Sequence, residues 1–179
     1  MNAAEMTLAF HYFSIQRYQV LVPNVFVDRH EWDLAGVRKS GFVDEIEIKV
    51  SRADFLADFK KVSSKRVPLP VVGDPPRHWH CWRYIDWPKH DMTSRGERKC
   101  NYFWYLMPDA LADKCEPDIP DHAGLAVARL DRYEQLVIEE RKKAPRLHKE
   151  KHGDHKFTAN LMRLATVRYW GIAHRNKTL

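Results

Sequence analysis

The sequence predicts a single α/β domain in which a mixed central sheet is flanked by helices. Residues 43–50 alternate polar and apolar side chains, as a half-buried strand does, and lead directly into a helical pattern. Apolar runs at residues 18–27, 101–107 and 124–128 predict further strands. The chain has 179 residues, of which 44% are hydrophobic, enough for one sizeable core but too few for two domains.

The first elements are predicted by residue spacing. Residues 3–13 carry an inner apolar stripe of Met6, Phe10 and Phe13, which predicts an opening helix. In the apolar run that follows, Pro23 indicates either a break or the edge of a sheet, because proline cannot donate a ladder hydrogen bond.

The next two predicted strands, residues 32–37 and 43–50, are joined by a turn and form a hairpin that brings Asp33 alongside Glu47. The second strand points Ile46, Ile48 and Val50 to a core. Its other face aligns Glu45, Glu47 and Lys49, and holding such charges together costs free energy unless something uses them. A surface hairpin with cross-strand ion pairs is the alternative.

Ser51 follows the strand as a predicted helix N-cap, with Asp54 three residues later. The helical spacing predicts an inward stripe of Phe55, Leu56 and Phe59. The polar residues of this segment are expected in solvent: Asp58, Lys60 and Lys61.

Asp33, followed fourteen positions later (47 minus 33) by Glu47-Ile48-Lys49 and a helix, resembles the motif of the PD-(D/E)xK nuclease superfamily. Trp32 stands where that motif has its proline. The resemblance implies a restriction-endonuclease-like αβββαβ core. A bare Glu-x-Lys is common, but Asp33 at this spacing and strand patterning on both sides make the signal more specific.

Residues 44–61 resemble, more narrowly, a phage and bacterial branch that includes DNA-repair proteins linked to mitomycin resistance. Residues 101–111 and 119–128 resemble the downstream strands of that branch, so the resemblance covers roughly residues 20–130. It implies a Mg²⁺- or Mn²⁺-dependent deoxyribonuclease, an endonuclease, acting in DNA repair, recombination or phage DNA processing.

The resemblance implies that Asp33 and Glu47 hold the metal and that Glu5 of the opening helix is a further candidate ligand, with a solvated N-terminal acid as the alternative. From its place between Glu47 and Lys49, the backbone carbonyl of Ile48 is another candidate ligand. Glu45, on the same strand face, is either a further carboxylate of the site or a plain exposed acid. Lys49 would orient the attacking water or hold the scissile phosphate. The chemistry of the residues agrees independently. Two carboxylates on adjacent strands suit a hard divalent cation, which can activate water for hydrolysis.

The formal net charge is +6, which favours an anionic partner, here DNA. Arg52, Lys60, Lys61 and Lys65 are the candidate phosphate contacts, chosen from position and charge. Residues 62–99 are predicted to be an irregular basic and aromatic insertion. Its tryptophans either stack on bases or pack onto the domain, and both interpretations stay open.

Histidine and cysteine in the same insertion suggest a structural zinc as an alternative, although the pattern has no matching second ligand pair. The residues concerned are His78, His80, Cys81, His90 and Cys100. A DNA-binding module that keeps the fold without cutting is the other alternative to a nuclease.

The last part of the chain is a basic connector at residues 141–156 and a predicted helix at residues 157–174. Three irregularly spaced cysteines, the lack of a basic segment at the start and of an apolar stretch near 20 residues predict a cytoplasmic protein with no membrane partner, in a bacterium or a phage-infected host cell. The resemblance leaves a homodimer open.

Overall fold

The computed structural model describes residues 1–28, 30–68 and 82–176. The helices are α1 (Ala3–Ser14), α2 (Arg52–Asp58), α3 (Lys89–Ser94), α4 (Asp109–Cys115) and α5 (His155–Asn176), with a 3₁₀ turn at Glu116–Asp118. The strands are β1 (Tyr18–Val27), β2 (His30–Arg38), β3 (Val43–Ile48), β4 (Val62–Pro68), β5 (Trp82–Pro88), β6 (Tyr102–Pro108), β7 (Ala123–Leu130) and β8 (Leu136–Lys142).

Six strands form a mixed sheet in the order β1-β2-β3-β6-β7-β8. The pairs β1–β2, β2–β3 and β7–β8 are antiparallel, whereas β3–β6 and β6–β7 are parallel. With helices on both sides, this is the predicted mixed α/β fold. Strand β3 is internal in this sheet and both faces of the sheet are covered, so all six of its residues are buried.

The two faces of the sheet have separate cores. On one face, Met6 and Phe10 of α1 pack with Ile46 and Ile48 of β3. On the other, Phe55 of α2 packs with residues of β6, β7 and α4. Side chains alternate between faces along a strand, so Glu45 and Glu47 point to the α2 side.

Several predicted elements are confirmed, among them α1, the β2–β3 hairpin and the C-terminal helix. The turn of that hairpin contains Gly41 with φ of 83°, a conformation that favours glycine. Ser51 caps α2, since its side chain accepts a hydrogen bond from the Asp54 N–H. Pro23 lies in an edge strand, and β1 continues through it rather than breaking.

The prediction that residues 62–99 are irregular is wrong for residues 62–68 and 82–94. Strands β4 and β5 form an antiparallel hairpin, and α3 follows. Pro68 and Pro88 each lie at the end of a strand, where a missing N–H is tolerated. Residues 69–81, which include His78, His80 and Cys81, lie outside the described residues.

The predicted orientation of α2 is also partly wrong. Phe55 is fully buried, as expected, but Leu56 and Phe59 are 45% and 37% exposed. Asp58, expected in solvent, is 0% exposed. The helix has seven residues and ends at Asp58, so its inner face presents only Phe55 and Asp58. Along α5, Leu161 is buried, whereas Tyr169 and Ile172 are exposed.

Candidate active site

The hairpin of β2 and β3 places Asp33 opposite Glu47. Leu34 pairs with Ile46 in this ladder, and the same register continued by one residue sets Asp33 against Glu47. Directly opposed side chains of an antiparallel pair share a face of the sheet. The Ile48 N–H donates to Asp33 Oδ2 at 2.8 Å, which fixes this carboxylate at the end of the ladder.

Glu47 is buried and is surrounded by three ammonium groups. Lys89 Nζ lies 2.6 Å from its Oε1, and Lys49 and Lys61 lie 3.0 and 3.2 Å from its Oε2. Burial alone would raise the pKa of Glu47. The positive charges, led by Lys89, outweigh burial and lower the pKa to about 2. Glu47 is therefore a carboxylate at neutral pH.

Asp58 is a second buried carboxylate of the same cluster. Its Oδ1 lies within ion-pair distance of Lys49, Lys89 and Lys61 at 3.2, 3.2 and 3.0 Å. Its Oδ2 accepts a hydrogen bond from the Tyr105 hydroxyl at 2.9 Å and lies 3.0 Å from His90 Nε2. Because a carboxylate only accepts, His90 Nε2 is the donor. Burial opposes ionisation, but these contacts hold the pKa of Asp58 well below its ordinary value.

Asp58 was expected to be a solvent-exposed residue, and the sequence carried one signal that argued otherwise. Asp58 lies three residues after Phe55, and residues three apart on a helix share a face. A helix this short that buries Phe55 also directs Asp58 inward, toward the charges of β3.

Lys89 and Arg98 were not among the predicted site residues. Lys89 opens α3 with its side chain 4% exposed, and Arg98 Nη1 lies 2.9 Å from Glu45 Oε2. Both residues come from the segment expected to be irregular, and only the tertiary fold brings them to β3. The cluster thus combines four carboxylates with four cations: Asp33, Glu45, Glu47, Asp58, Lys49, Lys61, Lys89 and Arg98.

Lys49 is fully buried at the end of β3, with its side chain 1% exposed. Burial would lower the pKa of its ammonium group. The negative charges of Glu47 and Asp58 outweigh burial and raise the pKa above its ordinary value, so Lys49 is a cation at neutral pH. Its Nζ lies between these two carboxylates, within 3.2 Å of each.

The structure separates the two further candidate ligands. Glu45 is buried beside Arg98, with Lys89 3.7 Å away, so it is not the plain exposed acid considered above. Its pKa is raised, chiefly by burial. Glu5 lies on α1, at the opposite face of the sheet, and its carboxylate accepts from the Asn2 N–H in a capping box. Glu5 is therefore no ligand of a site at Glu47, which corrects the prediction.

Asp33 and Glu47 fit a cation such as Mg²⁺, which keeps several of its water ligands and needs only one or two protein carboxylates. Burial and the charge of Glu47 raise the pKa of Asp33, which shows that the two carboxylates repel each other and would gain from a shared cation. Among residues 1–28, 30–68 and 82–176, no group of three or more acidic, histidine or cysteine side chains is arranged for a metal. Ile48 contacts Asp33 through its N–H rather than its carbonyl.

The four predicted phosphate contacts have different surroundings. Lys61 is half-exposed and paired with Glu47 and Asp58, at the mouth of the cluster. Lys65 pairs with Glu97 at 2.9 Å, and the exposed Arg52 lies 3.5 Å from Asp118. Lys60 is exposed, with no ion-pair partner in the described part of the chain. Only Lys61 directly adjoins Glu47.

The described residues of the zinc hypothesis have other partners. His90 lies between Asp58 and His122, whose Nε2 is 2.9 Å from His90 Nδ1. Cys100 is fully buried, and burial raises the pKa of its thiol, which disfavours the thiolate that zinc requires. His78, His80 and Cys81 lie outside the described residues.

Acid is expected to remove the stabilisation that ionised Glu47 provides. Its pKa is lowered from 4.5 to about 2, so this contribution is complete above pH 4.5 and is lost as the pH falls toward 2. We expect the difference in free energy of unfolding between wild type and Glu47→Gln to shrink from about pH 5 to about pH 3. Urea unfolding at several pH values measures this, and a difference that stays constant would contradict the ion-pair description.

The comparisons with known proteins support the fold. The chain matches no protein-family model and no curated protein. A solved structure of a protein of unknown function from Silicibacter pomeroyi is similar, with a TM-score of 0.58 and 17% sequence identity over 97% of this chain and 89% of that one. In the described residues, no helix is long and apolar enough to cross a membrane. At this identity the likeness shows the fold alone, and it is the mixed α/β fold described above.

Proposed function

We propose that the protein hydrolyses phosphodiester bonds in DNA with the help of Mg²⁺ or Mn²⁺. The observation that carries this proposal is that Asp33 and Glu47 lie together at the end of the β2–β3 ladder, with the buried ammonium group of Lys49 beside Glu47. This is the arrangement that the resemblance to PD-(D/E)xK nucleases implies for Asp33, Glu47 and Lys49. The positive net charge of the chain favours the same polyanionic substrate.

Each residue has a role that follows from its surroundings. Asp33 and Glu47 would hold the cation, which supplies an activated water and offsets negative charge at the phosphate. Lys49 is a fixed positive charge within 3.0 Å of Glu47 and can orient the water or hold a phosphate oxygen. Asp58 and Tyr105 do not contact the substrate in this scheme; Asp58 fixes the position of Lys49.

The test is cleavage of labelled linear, nicked, branched and single-stranded DNA with Mg²⁺, with Mn²⁺ and with EDTA. We expect metal-dependent cutting of at least one substrate by the wild type and none by Glu47→Gln. Circular dichroism would show that the variant is folded. Cutting that persists in EDTA, or in a folded Glu47→Gln variant, would contradict the proposal.

A DNA-binding module without cleavage is the second candidate, and one feature of the cluster favours it. Both oxygens of Glu47 are already engaged by lysines, so a cation at Glu47 must compete with ammonium groups. Metal-independent DNA binding by a protein that cuts none of the four substrates would identify this function.

Lys61 is the ammonium group most easily displaced, because its side chain is 48% exposed. We expect Lys61→Met to bind Mn²⁺ about fivefold more tightly than wild type. The substitution removes a positive charge that lies 3.2 Å from Glu47 Oε2 and is partly screened by solvent. Isothermal titration with Mn²⁺ measures the change. Lys60→Met, its exposed neighbour, is the control. Equal affinities in the two variants would show that Lys61 does not compete for the site.

A further inference from the structure

A cavity of about 380 Å³ lies next to the candidate active site. It is formed between the start of β2 and the β4–β5 hairpin. His30 and Trp32 line it from β2, and Arg66 and Tyr84 line it from the hairpin. The Ser64 N–H donates to His30 Nε2 at 3.2 Å, which holds the hairpin against β2 and fixes this wall.

The cavity adjoins the site of the proposed chemistry. A smaller cavity of about 310 Å³ is lined by Glu47, Lys61 and Lys89. The two cavities share His30 and Arg98 as lining residues. A ligand in the larger cavity would therefore lie next to the smaller cavity, which Glu47 lines.

The charges of the larger cavity favour an anion. The two acidic side chains among its described lining residues are already neutralised, because Asp28 pairs with Lys99 at 2.8 Å and Glu97 pairs with Lys65 at 2.9 Å. Arg66 adds a positive charge that has no carboxylate partner among the described residues. Its guanidinium group instead lies 4.3 Å from the centre of the Trp82 ring.

The hairpin also presents an aromatic ring beside that charge. Tyr84 pairs with Arg66 across the ladder, so both side chains lie on the same side of the hairpin. Tyr84 is 47% exposed. Single-strand binding proteins hold unpaired nucleotides with aromatic rings, on which the bases stack, and with positive charges near the phosphates.

We propose that this cavity binds one unpaired nucleotide of the DNA strand that reaches Glu47, with the base on Tyr84 and the phosphate near Arg66. The volume is at the low end for small-ligand pockets, which suits one nucleotide and excludes a base-paired duplex. The inference rests on the proposed function in its choice of DNA and deepens it. The substrate class is DNA with unpaired nucleotides: single strands, flaps or gaps.

The test is binding of a fluorescently labelled single strand and of its duplex, measured by anisotropy in EDTA. We expect the wild type to bind the single strand at least tenfold more tightly. Tyr84→Leu should weaken single-strand binding about tenfold and leave duplex binding unchanged, while Tyr84→Phe, which keeps the ring, retains it. Arg66→Gln should weaken single-strand binding by severalfold.

Tyr133→Leu is the matched control. Tyr133 is another exposed tyrosine, with the Arg132 guanidinium 4.6 Å from the centre of its ring. It lies in the turn between β7 and β8, at the opposite edge of the sheet from β1 and β2. Thermal unfolding checks that each variant is folded. Equal affinities for single strand and duplex, or the same small loss in Tyr84→Leu and Tyr133→Leu, would overturn the proposal.

The two proposals fail separately, because the binding assay contains no metal. If single-strand binding depends on Tyr84 as expected but the protein cuts no DNA, the nucleotide pocket is supported and the proposed nuclease activity is contradicted. If the protein cuts DNA but Tyr84→Leu binds single strands as tightly as wild type, only the proposed pocket is contradicted.

Discussion

Asp58→Ala is expected to lower the free energy of unfolding by about 3–5 kcal/mol, the usual result of removing one partner from a buried ion pair. Asp58 is fully buried and is the shared acceptor for Lys49, Lys89 and Tyr105. Without it, Glu45 and Glu47 are the buried counter-charges that remain for the ammonium groups in the described part of the chain. Urea unfolding at neutral pH measures the change.

Asp54→Ala is the control for this prediction. Asp54 belongs to the same helix, but its side chain is 43% exposed and lies 3.9 Å from Lys49 Nζ. We expect this substitution to change the free energy of unfolding by less than about 1 kcal/mol, as exposed ion pairs do. If the two variants were equally stable, Asp58 would not be the centre of the buried cluster.

Lys49→Met is expected to reduce the rate of DNA cleavage roughly 10²–10³-fold, the range found when one preorganised donor is removed from an active site. Methionine fills much of the same space without the charge. Glu47 and Asp58 each keep Lys89 and Lys61 as partners, so the fold is expected to survive. Single-turnover cleavage at saturating DNA measures the rate apart from binding.

Lys60→Met is the matched substitution for Lys49→Met. Lys60 is exposed and has no ion-pair partner in the described part of the chain, so we expect it to affect DNA affinity but not the chemical step at saturating DNA. We expect its rate to stay within about threefold of wild type. A folded Lys49→Met variant that cuts at the wild-type rate would exclude Lys49 from the reaction.

The pairing of Asp33 with Glu47 could be predicted because it depends on local rules. The period-two pattern of β3 sets which side chains share a face, and the short turn at Gly41 sets the register with β2. The position of Lys49 follows from the same alternation. These relations involve neighbouring residues, and the structure shows them as expected.

The rest of the cluster depends on contacts that local patterns do not contain. Lys89 and Arg98 reach β3 from 42 and 53 positions away in sequence (89 minus 47, and 98 minus 45), and no local pattern marks them as buried. The β4–β5 hairpin was missed because nearly all of its residues are at least partly exposed, so it lacks the alternation that marks a half-buried strand.

The expected exposure of Asp58 had a similar cause. A carboxylate on a helix is usually in solvent, and only the buried cations of β3 and α3 make its burial favourable. The prediction that Glu5 is a metal ligand was wrong for a different reason. A glutamate at the third position of a helix satisfies free N–H groups, and here it completes the cap of α1.

DNA cleavage as a function of Mn²⁺ concentration, in wild type and in Asp33→Asn, tests the proposed metal site most directly. The amide keeps the hydrogen-bond acceptor for the Ile48 N–H but removes the charge that the cation needs. The exposed Asp121→Asn is the control. We predict saturable, Mn²⁺-dependent cutting by wild type and control, and loss of cutting in Asp33→Asn. Cutting by Asp33→Asn with the wild-type Mn²⁺ dependence would contradict the site.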